Sequence, residues 1–376
     1  MAGVTHHAPE GIIEVDPAWV GKLPASTLKI LELTSEWQNR MTHRITGLQR
    51  ANILPLHSLH PSERIDTKMG ADTMPSRTGN VLGSGAWYPI RLTSSRKYPI
   101  PNDEPEQERV DIIHHIYLLM LDGKLVRAPI DDGIQRILDI GTGTGIWAID
   151  VAETYPSAQV IGTDLSPIQP SWVPPNVSFQ IDDAESDWTF ARDSFDLIHF
   201  RHLNGGIKDW GKLIKQSFDA LKPGGWLDVA EFEGRLKSDD GTLLPEGNLS
   251  KYYDLLNEAA DKSGQGFNTA TSLDSLILDA GFDKVNHEVV KLSLGTWPAD
   301  KRQKDMGAYM LLLTESGFES YGMALLTRTL GMDVLEAGEF ITGAKKESRS
   351  KKVHSDIWQN RHLYYAQKPL KKSDLK

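Results

Sequence analysis

A chain of 376 residues, 39% hydrophobic and 24% charged, has material for one large core or two modest ones. Its net charge of -10 argues against a broad basic face for nucleic acid, and the lack of cysteine removes disulfides, thiolate metal sites, iron–sulfur clusters and a cysteine nucleophile. Residues Met1 to Gly11 have neither a basic n-region nor an apolar core, and no stretch reaches the roughly 18 uninterrupted apolar residues of a membrane span, so neither a signal peptide nor a membrane helix is expected.

Residues 1–85 mix short apolar patches with Pro, Ser, His and Gly and read as an extension, with helical pieces around Leu28 to Leu48. Aromatic residues and prolines then crowd Trp87 to Pro101, and Asn102 or Asp103 is placed to cap a helix beginning near Pro105. Val110, Ile113, Tyr117 and Leu121 follow at helical spacing. Residues 86–130 are therefore expected to form a leading segment and a helix that acts as a lid on the domain of residues 131–376.

That domain alternates strand and helix. Gln135 to Ile140, Gln159 to Leu165, Val177 to Asp182, Phe195 to Phe200 and Trp226 to Phe232 read as strands, with a helix over Ile146 to Thr154. Ile207, Trp210, Leu213, Ile214, Phe218 and Leu221 mark another helix, stopped by Lys222-Pro223-Gly224-Gly225. Residues 233–280 read as mainly helical, and Val285 to Leu294 and Leu363 to Gln367 as late strands around a helical insertion. The pattern predicts an α/β fold: a Rossmann-like, seven-stranded, mostly parallel sheet with helices on both faces.

Gly141-Thr142-Gly143-Thr144-Gly145 follows a strand and opens a helix, where glycines permit positive φ and close backbone approach to a ligand. A dinucleotide fingerprint would want glycine or alanine where this chain has Ile146, which weighs against a nicotinamide dehydrogenase. Asp139, just before the loop, would repel a pyrophosphate but attract an ammonium and favour a nearby sulfonium. S-adenosylmethionine carries both positive groups and no phosphate. Asp164, with Leu165 beside it, ends the next strand, where a carboxylate can accept two ribose hydroxyl protons. Asp182 and Asp183, after the third strand, are placed to meet an adenine amino group; a solvated turn is the plainer alternative.

The sequence resembles the LaeA-like fungal methyltransferases. The likeness runs through Ile137 to Asp150, Asp164-Leu165-Ser166-Pro167, Trp172 to Val177, Ile181-Asp182-Asp183, Leu221 to Trp226, Gly295-Thr296-Trp297-Pro298 and Lys304-Asp305-Met306-Gly307. It begins at Tyr98-Pro99-Ile100-Pro101-Asn102 and covers roughly Tyr98 to Leu370. Upstream, Trp87-Tyr88-Pro89-Ile90-Arg91 departs from the family pattern. The resemblance implies the class I methyltransferase fold, S-adenosylmethionine as cofactor and a small-molecule acceptor, methylated on oxygen or nitrogen in a fungal secondary-metabolite pathway. The alternative within the family is a nuclear regulator of secondary metabolism acting through protein partners. A cytoplasmic address goes with the first reading and a nuclear one with the second; neither calls for nucleic acid, membrane or metal.

For the chemistry, His202 lies just past the fourth strand, where an acceptor would sit, and is the candidate general base, weighed against a loop histidine bonded to backbone. His199 reads as a packing residue, and of His114 and His115 one must face away from the core. Tyr88 and Tyr98, with Trp87, are candidates for an aromatic substrate pocket, against plain packing on the sheet. Glu231 could touch substrate or orient a loop. Lys345, Lys346, Arg349, Lys351 and Lys352 form a basic run, read first as a solvated face and second as a nuclear-localisation patch.

Overall fold

The structure is a computed structural model that describes residues 5–7, 103–350 and 356–371. The helical pieces expected around Leu28 to Leu48, the candidates Trp87, Tyr88 and Tyr98, and Lys351 and Lys352 lie outside these residues.

Eight strands form one sheet: β1 (Thr5–His7), β2 (Arg136–Ile140), β3 (Gln159–Asp164), β4 (Val177–Ile181), β5 (Phe195–Arg201), β6 (Leu221–Ser238), β7 (Asp283–Ser293) and β8 (Ile357–Gln367). Their order is β1-β7-β8-β6-β5-β2-β3-β4. The seven expected strands are all present, and Thr5–His7 adds an eighth at the edge, parallel to β7. Only β8 runs antiparallel to its neighbours, β6 and β7. From β2 the chain steps outward to β3 and β4, then returns to place β5 on the other side of β2. That reversal is a topological switch point, where open α/β sheets bind ligands beyond the strand ends.

Alternation along the strands dictates the layers. Ile137, Val160 and Leu197 face one way and pack on Trp147, Ala148 and Val151 of helix α2 (Ile146–Thr154). Leu138, Ile161 and Ile198 face the other way, with Leu213 and Ile214 of α3 (Trp210–Ala220) and Leu273 and Ile277 of α5 (Leu273–Ala280). Helices therefore cover both faces. A third apolar cluster unites α1 (Glu104–Met120), α4 (Asn248–Ser263), α6 (Lys301–Ala324) and α7 (Val334–Ser348) with Ala230, Leu236, Val290, Leu292 and Ile357 of the sheet.

Helix α1 begins as its sequence predicts. Asp103 is the N-cap, its side chain accepting the N–H of Glu106, and Pro105 sits in the first turn. Of the expected stripe, Ile113, Tyr117 and Leu121 are buried and Val110 half-buried, and the apolar face is wider, since Ile112, Ile116 and Met120 are buried too. The fifth expected strand differs more: β6 continues to Ser238 through residues read as helical. Leu236, Lys237 and Ser238 pair with Gln359, Trp358 and Ile357 of β8, which itself starts before Leu363. Tertiary pairing overrides the weak local pattern of Glu233-Gly234-Arg235.

Among the described residues no helix is long and apolar enough to cross a membrane. On α7, Lys345 pairs with Glu319 and the following Arg349 with Glu315, both on α6, so this part of the basic run is a paired surface.

Candidate active site

The glycine loop adopts the backbone its composition predicts. Gly141, Gly143 and Gly145 have φ of 64°, 58° and 80°, a region that side chains disfavour. At Gly145 a Cβ would also stand 2.3 Å from the Phe179 ring, so this glycine serves the packing of α2 against β4. It does not line the cleft that opens beside the loop, unlike Gly141, Thr142 and Gly143.

That cleft encloses about 1410 Å³, its open mouth included, and brings together Asp139, Asp164, Leu165, Asp182, Asp183 and His202. Of the predicted site residues within the described chain, only Gly145 stands apart.

Asp139 is 2% exposed, and its two oxygens are engaged: Thr142 Oγ1 donates at 2.6 Å and His199 Nδ1 lies at 2.8 Å. The His199 ring stacks on Trp147 at 3.7 Å, which makes it the packing residue its position predicts. Asp164 accepts the N–H of Gly143 at 2.8 Å on one oxygen and that of Ser166 at 2.9 Å on the other. Burial raises the Asp164 pKa, and these backbone donors pull against it. Each oxygen keeps a second lone pair, the requirement for binding two neighbouring hydroxyls. Asp182 accepts the N–H of Asp183, and Asp183 that of Glu185, so both carboxylates are oriented by their own turn. Four carboxylates from three strand ends fit an adenosyl compound bearing positive charge better than one bearing phosphates.

Helix α1 closes one side. Thr144 Oγ1 donates to Asp111 at 2.6 Å, and a Cβ at Gly143 would be 3.2 Å from Val110. Burial pushes the Asp111 carboxyl up to about 6. His114 is the buried member of the histidine pair, while His115 packs edge-on against Tyr309. Arg201, which only donates, lies 2.7 Å from His114 Nδ1, so His114 carries its proton on Nε2 and gives it to Asp150 at 2.9 Å.

His202 has φ 58°, unusual for a non-glycine residue, and is held by its N–H to the Ala230 carbonyl at 2.9 Å. Its ring packs on Phe232 at 4.6 Å, and its buried Nδ1 has no hydrogen-bond partner. Burial lowers its pKa well below 6.5, and Arg361, Arg109 and Arg201 lower it further, so the imidazole is neutral. Glu231 takes the loop-orienting role: it is fully buried and accepts the N–H groups of Leu203 and Asn204.

A second chamber of about 610 Å³, its open mouth included, adjoins the cleft. Arg109, His202 and Tyr321 line both spaces. Phe232, Tyr252, Tyr253, Phe267 and Phe318 give its wall a strong aromatic share beside Leu256, Met310 and Leu313, and Arg361 lies among them. Sequence reasoning missed Arg109, Arg201, Tyr321 and Arg361. Arg109 and Arg201 sit inside regular elements, and Tyr321 and Arg361 belong to parts of the chain with no local motif.

Residues 101–287 match a family described as a methyltransferase domain. A protein from Aspergillus terreus named methyltransferase pytC is 41% identical over 304 residues, 78% of this chain and 94% of that protein. The secondary metabolism regulator LAE1 of Cochliobolus heterostrophus is 36% identical, over 79% of this chain and 97% of its own length. The protein-methionine methyltransferase laeA of Emericella nidulans is 33% identical, over 73% of each chain.

Proposed function

Because the chain belongs to the LaeA-like family of S-adenosylmethionine-dependent class I methyltransferases, we propose that it methylates an oxygen or nitrogen of a small-molecule natural product in fungal secondary metabolism. The observation that carries the cofactor part is the acid-lined cleft at the switch point, where Asp139, Asp164, Asp182 and Asp183 meet the glycine loop. In this reading Asp164 binds the ribose hydroxyls and Asp182 or Asp183 the adenine amino group. Asp139 orients Thr142 and adds negative potential for the ammonium, and Arg201 serves the carboxylate of the methionyl part. When bound, the cofactor supplies an activated methyl group, so the protein's contribution is alignment and exclusion of water.

His202 stands where the cleft and the aromatic chamber meet, neutral and with a free ring nitrogen, and takes the proton of a hydroxyl or amine acceptor. Helix α1 acts as the lid, tied to the glycine loop through Asp111 and to α2 through His114. The similarity to the Cochliobolus regulator favours a second reading, a nuclear regulator working through protein partners. Metabolite profiling of a deletion strain separates the two. Accumulation of one compound lighter by a methyl group supports the enzyme of a pathway. Silencing of many unrelated metabolites without such an intermediate overturns it.

A further inference from the structure

Arg361 is 2% exposed and, among the described residues, makes no hydrogen bond or salt bridge to a carboxylate, Glu231 being the acid whose charge it feels. Its Nε and Nη1 have no hydrogen-bond partner, and Nη2 reaches the sulfur of Met310 at 3.5 Å. A buried guanidinium left this way is expensive, since the donors on Nε and Nη1 lose water without replacement and Nη2 meets only a weak sulfur acceptor. The neighbouring acids are committed elsewhere. Glu231 is turned toward the N–H groups of Leu203 and Asn204; burial pushes its carboxyl up to about 8, although the Arg361 charge pulls the other way. Glu106 pairs with Arg109. The guanidinium lies 5.4 Å from the ring of Phe232, the same ring on which His202 packs. An unpaired cation and the residue at the junction of the two chambers thus share one aromatic wall.

We propose that the aromatic chamber holds the methyl acceptor, and that this acceptor is a flat apolar molecule bearing an anionic oxygen group, a carboxylate or enolate, which pairs with Arg361. The anionic group is the anchor, separate from the atom that receives the methyl beside His202. The planar fork of Arg361 suits a two-oxygen anion, and Phe232, Tyr252 and Phe267 suit a conjugated body. This inference rests on the methyltransferase reading and names the chemistry of its acceptor.

The test uses the full chain with S-adenosylhomocysteine bound and compares 2-naphthoate with its neutral isostere 2-naphthamide, by calorimetry at neutral pH. The acid should bind at least tenfold more tightly than the amide. Arg361→Met should erase that preference while binding S-adenosylhomocysteine as before, and Arg361→Lys should keep part of it. Equal binding of acid and amide, no binding of either, or a preference that survives in the Arg361→Met chain overturns the proposal. A chain that fails to bind S-adenosylhomocysteine at all counts against the cofactor reading instead, so the two failures are distinguishable. Should Arg361→Met not fold, the wild-type comparison of the two probes decides by itself.

Discussion

Glu231 accepts the N–H of Leu203 at 2.6 Å, so strand β6 fixes the loop that follows its neighbour β5 and carries His202. The same carboxylate receives Asn204, so two loop donors depend on one side chain. Replacing it with alanine leaves both donors buried and unpaired, at a cost of about 2–4 kcal/mol. Chemical denaturation should read that loss, and turnover should fall with it because His202 is released.

The pH dependence of Glu231 follows from its position. Its folded carboxyl is raised from 4.5 to about 8, so between those values the folded chain holds a proton that the unfolded chain releases. The stability from this group is fully present below pH 4.5 and is lost as pH rises through about 8. Urea midpoints should therefore decline over that window in the wild type and flatten in Glu231→Gln. Parallel curves for the two proteins would show that the carboxyl ionises normally.

Asp164→Ala should weaken S-adenosylmethionine and S-adenosylhomocysteine alike, by about 2–3 kcal/mol, because charge-assisted bonds to the ribose are lost. Titration calorimetry reads both. Unchanged affinity would remove Asp164 from the binding site and leave it as the clamp on Gly143 and Ser166.

With His202 depressed well below 6.5, the pH–rate profile should have no rising limb near that value. His202→Gln should lower turnover on the order of a hundredfold, with little change in cofactor affinity. A fully active variant would retire it as the base.

If Arg361 is an unpaired buried cation kept for a ligand, its removal should stabilise the ligand-free chain. Arg361→Met should raise stability by about 1–4 kcal/mol in denaturant melts, since the desolvation penalty disappears while apolar volume is retained. A destabilised variant would instead mean that its packing on Phe232 and Met310 outweighs its charge.

What the sequence makes legible is what local chemistry demands. Three glycines at alternate positions announce positive φ, and Asp139 and Asp164 are readable because strand ends beside such a loop have one geometry. Gly145 looked like a member of the binding loop, yet its missing Cβ makes room for Phe179, a neighbour that only the sheet supplies. The extension of β6 to Ser238 was hidden because Gly234 and the charges around it form a weak strand signal, the ladder is irregular between Phe232 and Leu236, and β8, far along the chain, dictates the pairing. Arg361 is hidden for a related reason: a lone arginine on a strand becomes unusual only when folding buries it without an acid.

Arg109, His202 and Tyr321 belong to both chambers, so ligands bound in the two spaces would share a common wall. Any shift that one occupant imposes on these side chains alters the affinity for the other. Thermodynamic reciprocity then requires each ligand to change its companion's affinity by an equal factor. Titrating the acceptor with and without S-adenosylhomocysteine, and the converse, would yield a single coupling constant.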